Sequence, residues 1–229
     1  MRGSIWLKAL ETVARVAAKT APGRLPSFGE AHVVEALEKI NDEGTMGRLK
    51  LSRDLKLGEG EVRTLVRHLD KEGLIEVSRS GISLSEVGKE LFSNLRTVLS
   101  EQVEIPSSPL TVGCFNVAVQ LKGMGSFVKY GLEQRDAAIM AGAKGATTLV
   151  VTKKGLVMPG TGEDVSEAGS SIVAALSKLS LKEGDVMVIG SADEKLKAEF
   201  GAKTAALELL KVKFRTNSNK ETNVKKRKR

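Results

Sequence analysis

A chain of 229 residues with 41% apolar content can bury two modest cores, and one cysteine with two distant histidines excludes both a disulfide framework and a zinc site. The net charge of +8 is uneven: residues 1–105 hold 16 basic against 16 acidic side chains, residues 106–214 hold 13 against 11, and residues 215–229 hold 7 against 1. Bulk charge therefore says nothing about nucleic acid outside the last fifteen residues, and any such case must rest on pattern.

No apolar run approaches the ~20 residues of a membrane span. Lys8, Glu11 and Arg15 interrupt the first nineteen residues, so no secretory signal is expected. The expectation is a cytoplasmic protein with no membrane partner. Residues 4–19 nevertheless show a helical stripe, with Trp6, Leu10, Val13 and Ala17 at spacings of four, three and four. That stripe either packs on its own domain or forms a dimer seam. Pro22, Gly23 and Pro26 then break it, closing an N-terminal helix-and-linker segment, 1–27.

A second amphipathic helix follows in GEAHVVEALEKINDEG, with Val33, Val34, Leu37 and Ile40 inward and Glu30, Glu35 and Glu38 off that face. Gly44 ends it. A short helix from about Met46 to Leu55 is expected to turn Leu49 and Leu55 inward, and Lys56 to Gly60 supplies a turn. The longer helix after it has Val62, Leu65, Val66 and Leu69 at i, i+3, i+4 and i+7. His68 lies beside that stripe as a partly packed side chain. Beyond Gly73, the strands LIEV and GISL form a hairpin across Ser78 to Gly81, and Ser85 caps a further helix. Helix, short helix, turn, helix, hairpin, helix is the order of a winged helix-turn-helix, here over 28–103.

With the apolar stripe buried, the longer helix presents Gly60, Arg63, Thr64, Arg67 and Lys71. Forked donors suit guanine edges in the major groove, and short hydroxyls suit phosphate or thymine. Gly60 lets the free N–H groups of the helix start approach a phosphate. Arg48, Lys50 and Arg53 on the preceding helix are placed for phosphate contacts, and Arg79 at the hairpin tip for the backbone or minor groove. Glu59 and Glu61 suit the helix dipole but repel phosphates, and a charge-neutral winged helix can also serve as a protein-interaction module.

A linker, 104–109, leads to a second domain, 110–214, in which strand-like and helical segments alternate. The fold class is thus two-domain, α+β or α/β: a winged helix-turn-helix followed by a small α/β domain for effector binding or dimerisation. Two glycine turns are candidate anion cradles: Gly123, Gly125 and Ser126 before one expected helix, and Ser191 before another. In the polar run Glu133-Gln134-Arg135-Asp136, Arg135 and Asp136 are the residues expected to face a pocket or an interface. Cys114, in an apolar strand-like run, is expected to be a buried inert thiol. No nucleophile, base and stabiliser occur together, so no enzyme, cofactor or metal is expected. Residues 215–229 lack apolar periodicity and read as a disordered basic tail, either a phosphate binder or localisation signal, or a solubilising end.

The stretch LSRDLKLGEGEVRTLVRHLDKEGLIEVSRSGISLSEVGKEL resembles archaeal winged-helix transcriptional regulators. GLEQRDAAIMAGAKGATTLVV and GLVMPG are similar to an archaeal group that joins a winged helix to a C-terminal domain of unknown function. The likeness spans most of residues 28–210. It implies an archaeal cytoplasmic DNA-binding regulator and brings no ligand or reaction with it. The expected function is a homodimeric, effector-responsive transcriptional regulator that binds double-stranded DNA. The alternative is a metabolic enzyme or adaptor whose winged helix contacts protein.

Overall fold

The chain folds around two cores, one in each of two units. The computed structural model describes residues 5–18, 27–165, 170–176 and 179–227, in two units, Met1–Thr97 and Val98–Arg229. Pro22, Gly23 and Pro26 lie outside the described residues.

The first unit opens with α1 (Ile5–Ala17), whose Trp6, Ala9, Leu10, Val13 and Val16 are buried. It packs against α2 (Glu30–Glu43), α4 (Glu59–Lys71) and α5 (Glu86–Arg96), so the stripe serves its own unit. The Arg15 guanidinium donates to the Glu72 carboxylate at 2.9 Å. On α2, Val33, Val34, Leu37 and Ile40 are inward as expected, but Glu35 and Glu38 are buried too. The reason is that α2 is enclosed by helices on several sides. Lys39 meets Glu35 at 3.5 Å and Arg96 meets Glu38 at 2.8 Å, so neither carboxylate is buried unpaired. At the start of α2 the Gly29 N–H donates to His32 Nδ1 at 3.2 Å.

Helix α3 (Arg48–Leu55) starts two residues later than the sequence suggests, after an extended Gly47. Met46 is instead bridged to strand β2 (Ile82–Leu84), exchanging N–H···O bonds with Ile82 at 2.8 and 2.9 Å. Leu51 and Leu55, four apart, are the inward pair, and Leu49 is 61% exposed rather than buried. Strand β1 (Ile75–Val77) pairs antiparallel with β2, Val77 opposite Ile82. Gly81 sits at φ +140°, where a Cβ would lie 2.9 Å from the Met46 oxygen, so only glycine fits beneath that bridge. Ser85 caps α5 as expected, its hydroxyl accepting from the Gly88 N–H at 3.0 Å.

The second unit takes up its chain earlier than expected. Leu99 bridges Leu121, and β3 (Val103–Glu104) pairs with β4 (Phe115–Leu121), so residues 98–104 belong to its sheet rather than to the winged helix. The remaining strands are β5 (Gly145–Thr152), β6 (Gly155–Val157) and β7 (Val186–Ala192). Their order is β3-β4-β7-β5-β6, and every neighbouring pair is antiparallel. Successive residues of β7 face opposite sides of the sheet. Ile189 joins Ala118, Leu149 and Met187 beneath Ile172 and Leu176 of α7 (Ser170–Leu176). Gly190 faces α8 (Lys195–Arg227), where a Cβ would stand 2.4 Å from the Ala198 oxygen. Helix α6 (Leu132–Met140) packs with α8 and β5.

Two expectations change here. Cys114 is exposed, because it precedes the first residue of β4 rather than lying within the strand. The segment expected to be a disordered tail continues α8 as far as Arg227, with no proline or glycine to stop it after Gly201.

Candidate nucleic-acid interface

The turn between α3 and α4 is built by backbone needs. Lys56 takes a left-handed conformation, φ 47°, at the end of α3. The Ser52 hydroxyl donates to the Leu57 oxygen at 2.6 Å, and the Leu57 N–H returns to the Ser52 oxygen at 3.2 Å. Gly58 then opens α4, and the Glu61 carboxylate accepts the Gly58 N–H at 2.9 Å. Glu61, one of the two acids that argue against phosphate binding, thus has a capping role.

Burial of Val62, Leu65, Val66, His68 and Leu69 fixes which face of α4 is left outside. His68 is held there by the Val16 carbonyl at 2.8 Å from Nδ1 and by the edge of Phe28. Outward, Arg63, Arg67 and Lys71 follow one another at i, i+4 and i+8 and are all exposed. Gly60 is exposed, with nothing within 4 Å of the place a Cβ would occupy. Thr64 is half-buried and its hydroxyl donates back to the Gly60 oxygen at 3.0 Å, so the proton expected to meet a phosphate is already engaged.

Arg48 and Arg53 are exposed on α3, whereas Lys50 is half-buried and paired with Glu43. The hairpin tip carries exposed Arg79 between Ser78 and Ser80, whose hydroxyls lie 2.7 Å apart and shape the turn. Among the described residues, Arg48, Arg53, Arg63, Arg67, Lys71 and Arg79 have no ion-pair partner. A cation that makes no ion pair has no local salt bridge to give up when it meets a phosphate or a guanine edge.

A shallow cleft of about 120 Å³ between the starts of α3 and α4 is lined by Arg48, Leu49, Glu59 and Arg63. Sequence reasoning missed Leu49 as an outward residue. The leucine spacing alone allows either phase; in the structure Leu51 and Leu55 form the inner face and Leu49 is left outside.

The residues singled out in the second unit do not form one site. The Gly123 N–H donates to Asp185 Oδ1 at 2.9 Å and the Gly125 N–H to the Gly184 oxygen at 2.8 Å. Those glycines begin only a three-residue 3-10 turn, Gly125–Phe127, so no helix dipole stands behind Ser126. Ser191 lies inside β7, buried, and donates to Asn116 Oδ1 at 2.7 Å. Arg135 and Asp136 are exposed and paired with each other at 3.0 Å. The inward member of that run is Gln134. Among the described residues no cluster of three or more His, Cys, Asp or Glu could hold a metal ion, and no helix is long and apolar enough to cross a membrane.

Comparison with known families finds two separate matches, one in each unit. Residues 33–99 match the CggR N-terminal DNA binding domain, and residues 112–209 match a domain of unknown function, DUF4443. A solved structure, a hypothetical protein from Pyrococcus horikoshii OT3, is 28% identical and superposes with a TM-score of 0.65, over 81% of this chain and all of that one. No curated protein matches the chain. The first unit is therefore similar to a DNA-binding domain of a known kind, followed by an α+β domain.

Proposed function

We propose that the protein is a cytoplasmic transcriptional regulator that docks α4 in the major groove of double-stranded DNA. The likeness to an archaeal protein supports an archaeal setting. The observation that carries the reading is the row Arg63, Arg67 and Lys71 on the outer face of α4, without an ion-pair partner among the described residues, in a unit that matches a DNA-binding domain. In this reading Arg63 and Arg67 read base edges. Arg48, Arg53 and Lys71 contact phosphates, Lys50 joins them by leaving Glu43, and Gly60 admits a phosphate to the helix start. Arg79 reaches the backbone or minor groove beside the site. The second unit joins two copies or senses a small effector, and a two-fold dimer would bind a palindromic site.

The test is duplex binding across a salt series by the full chain and by a chain ending at Phe214. Both should select the same sequences, with affinity falling as salt rises. Arg63→Ala or Arg67→Ala should weaken specific binding by about 1–3 kcal/mol if the side chain is bidentate to guanine. Binding that disappears with residues 215–229, or that neither substitution changes, refutes the docking.

A further inference from the structure

The cleft between the starts of α3 and α4 is lined by side chains of three chemistries, apolar, cationic and acidic. Leu49 is 61% exposed at its edge, although the outer face of α3 is otherwise polar. Arg48 and Arg63 flank it with no ion-pair partner among the described residues, and Glu59 supplies a carboxylate at the first position of α4. A space of about 120 Å³ is well below the ~300–1,000 Å³ of a small-molecule pocket. It matches the edge of a base better than a free effector. A carboxylate here would repel a phosphate, so the ligand must offer a donor where Glu59 stands and an apolar group where Leu49 stands.

We infer that Leu49 is a base-reading residue, packing on the C5-methyl group of a thymine beside the base that Arg63 contacts. This rests on the DNA-binding reading given above. In the major groove, thymine is the base that presents a methyl group, guanine the one that presents two acceptors to a forked donor, and cytosine and adenine those that offer an amino donor to a carboxylate. The cleft therefore reads a short step in which a thymine adjoins a guanine–cytosine pair, Glu59 accepting from the cytosine amino group. Leu49 adds specificity rather than electrostatic affinity, because a leucine gains nothing from a phosphate.

The experiment uses the full chain and the duplex it selects from a random pool. Each thymine in the site is replaced in turn by deoxyuridine, which deletes only the methyl group. The native protein should lose about fourfold in affinity at one thymine, the worth of one buried methyl-sized group. Leu49→Ala should bind the thymine and uracil duplexes equally, while Leu49→Met should keep the preference and Arg63→Ala should keep it on a weaker background. If selective binding occurs but no thymine is methyl-sensitive, or if Leu49→Ala retains the sensitivity, the role of Leu49 is overturned and the docking of α4 stands. If no duplex is selected at all, both fail together.

Discussion

His32 shows how a single side chain can carry a pH dependence without belonging to a site. Its Nδ1 accepts the Gly29 N–H at the start of α2, a role that needs an unprotonated nitrogen. Burial disfavours the imidazolium and holds the His32 pKa below its ordinary value, against the smaller opposing pull of Glu35 and Glu61. The unfolded chain therefore binds this proton more readily than the folded one. The contribution to stability is complete above the unfolded value of about 6.5 and is lost as pH falls through the folded value. A proton-NMR titration should place the His32 midpoint below 6.5, and His32→Gln should flatten the loss of stability as pH falls below about 6.5 relative to the native chain. A midpoint at or above 6.5 would contradict the burial argument.

At the level of elements, α4 is the helix on which the reading depends, and its start is secured by Glu61 rather than by a serine or threonine cap. Replacing Glu61 by Ala frees the Gly58 N–H and should cost about 1 kcal/mol. Denaturant unfolding should show a lower midpoint with an unchanged slope. Because Glu61 is also a negative charge near the proposed groove, DNA affinity at low salt should not fall in proportion. The contrast between α4 and α3 explains what was legible in the sequence. The α4 stripe Val62, Leu65, Val66 and Leu69 spans two turns and admits one helical phase, so its inner and outer faces follow directly. Helix α3 has eight residues and leucines at 49, 51 and 55. Two phases are compatible with those leucines, and the choice is made by the Met46–Ile82 bridge, a long-range pairing that local periodicity cannot reveal. Glu35 and Glu38 were illegible for a related reason: their counter-charges include Arg96, nearly sixty residues away from Glu38. In the second unit, the glycine turns looked like anion cradles because a sequence does not show that Asp185 and Gly184 already take the N–H groups.

At the level of the whole molecule, a chain can be partitioned by charge, by texture and by contacts, and here the three divisions differ. The basic residues concentrate beyond residue 214, the apolar texture changes near Leu110, and the contact boundary falls after Thr97. The last is set by Leu99, Val103 and Glu104 pairing onto β4, which no local composition announces. Strands and helices alternate along the second unit, yet every strand pairing is antiparallel. Alternation in sequence constrains the layers of a fold more than the direction of its strands.

The bridge between Met46 and Ile82 has a mechanical meaning for the first unit. The hairpin is attached to α4 through Gly73 on one side and to the segment before α3 through Met46 on the other. The hairpin tip and the outer face of α4 are thus held as the two jaws of a fixed calliper. In the proposed docking, adding one base pair between the stretch α4 would read and the phosphates Arg79 would contact moves those phosphates by about 3.4 Å along the strand. A tethered jaw cannot follow. Protection of the backbone beneath Arg79 should disappear from footprints of such a lengthened duplex, while protection of the major-groove bases facing Arg63 and Arg67 should persist.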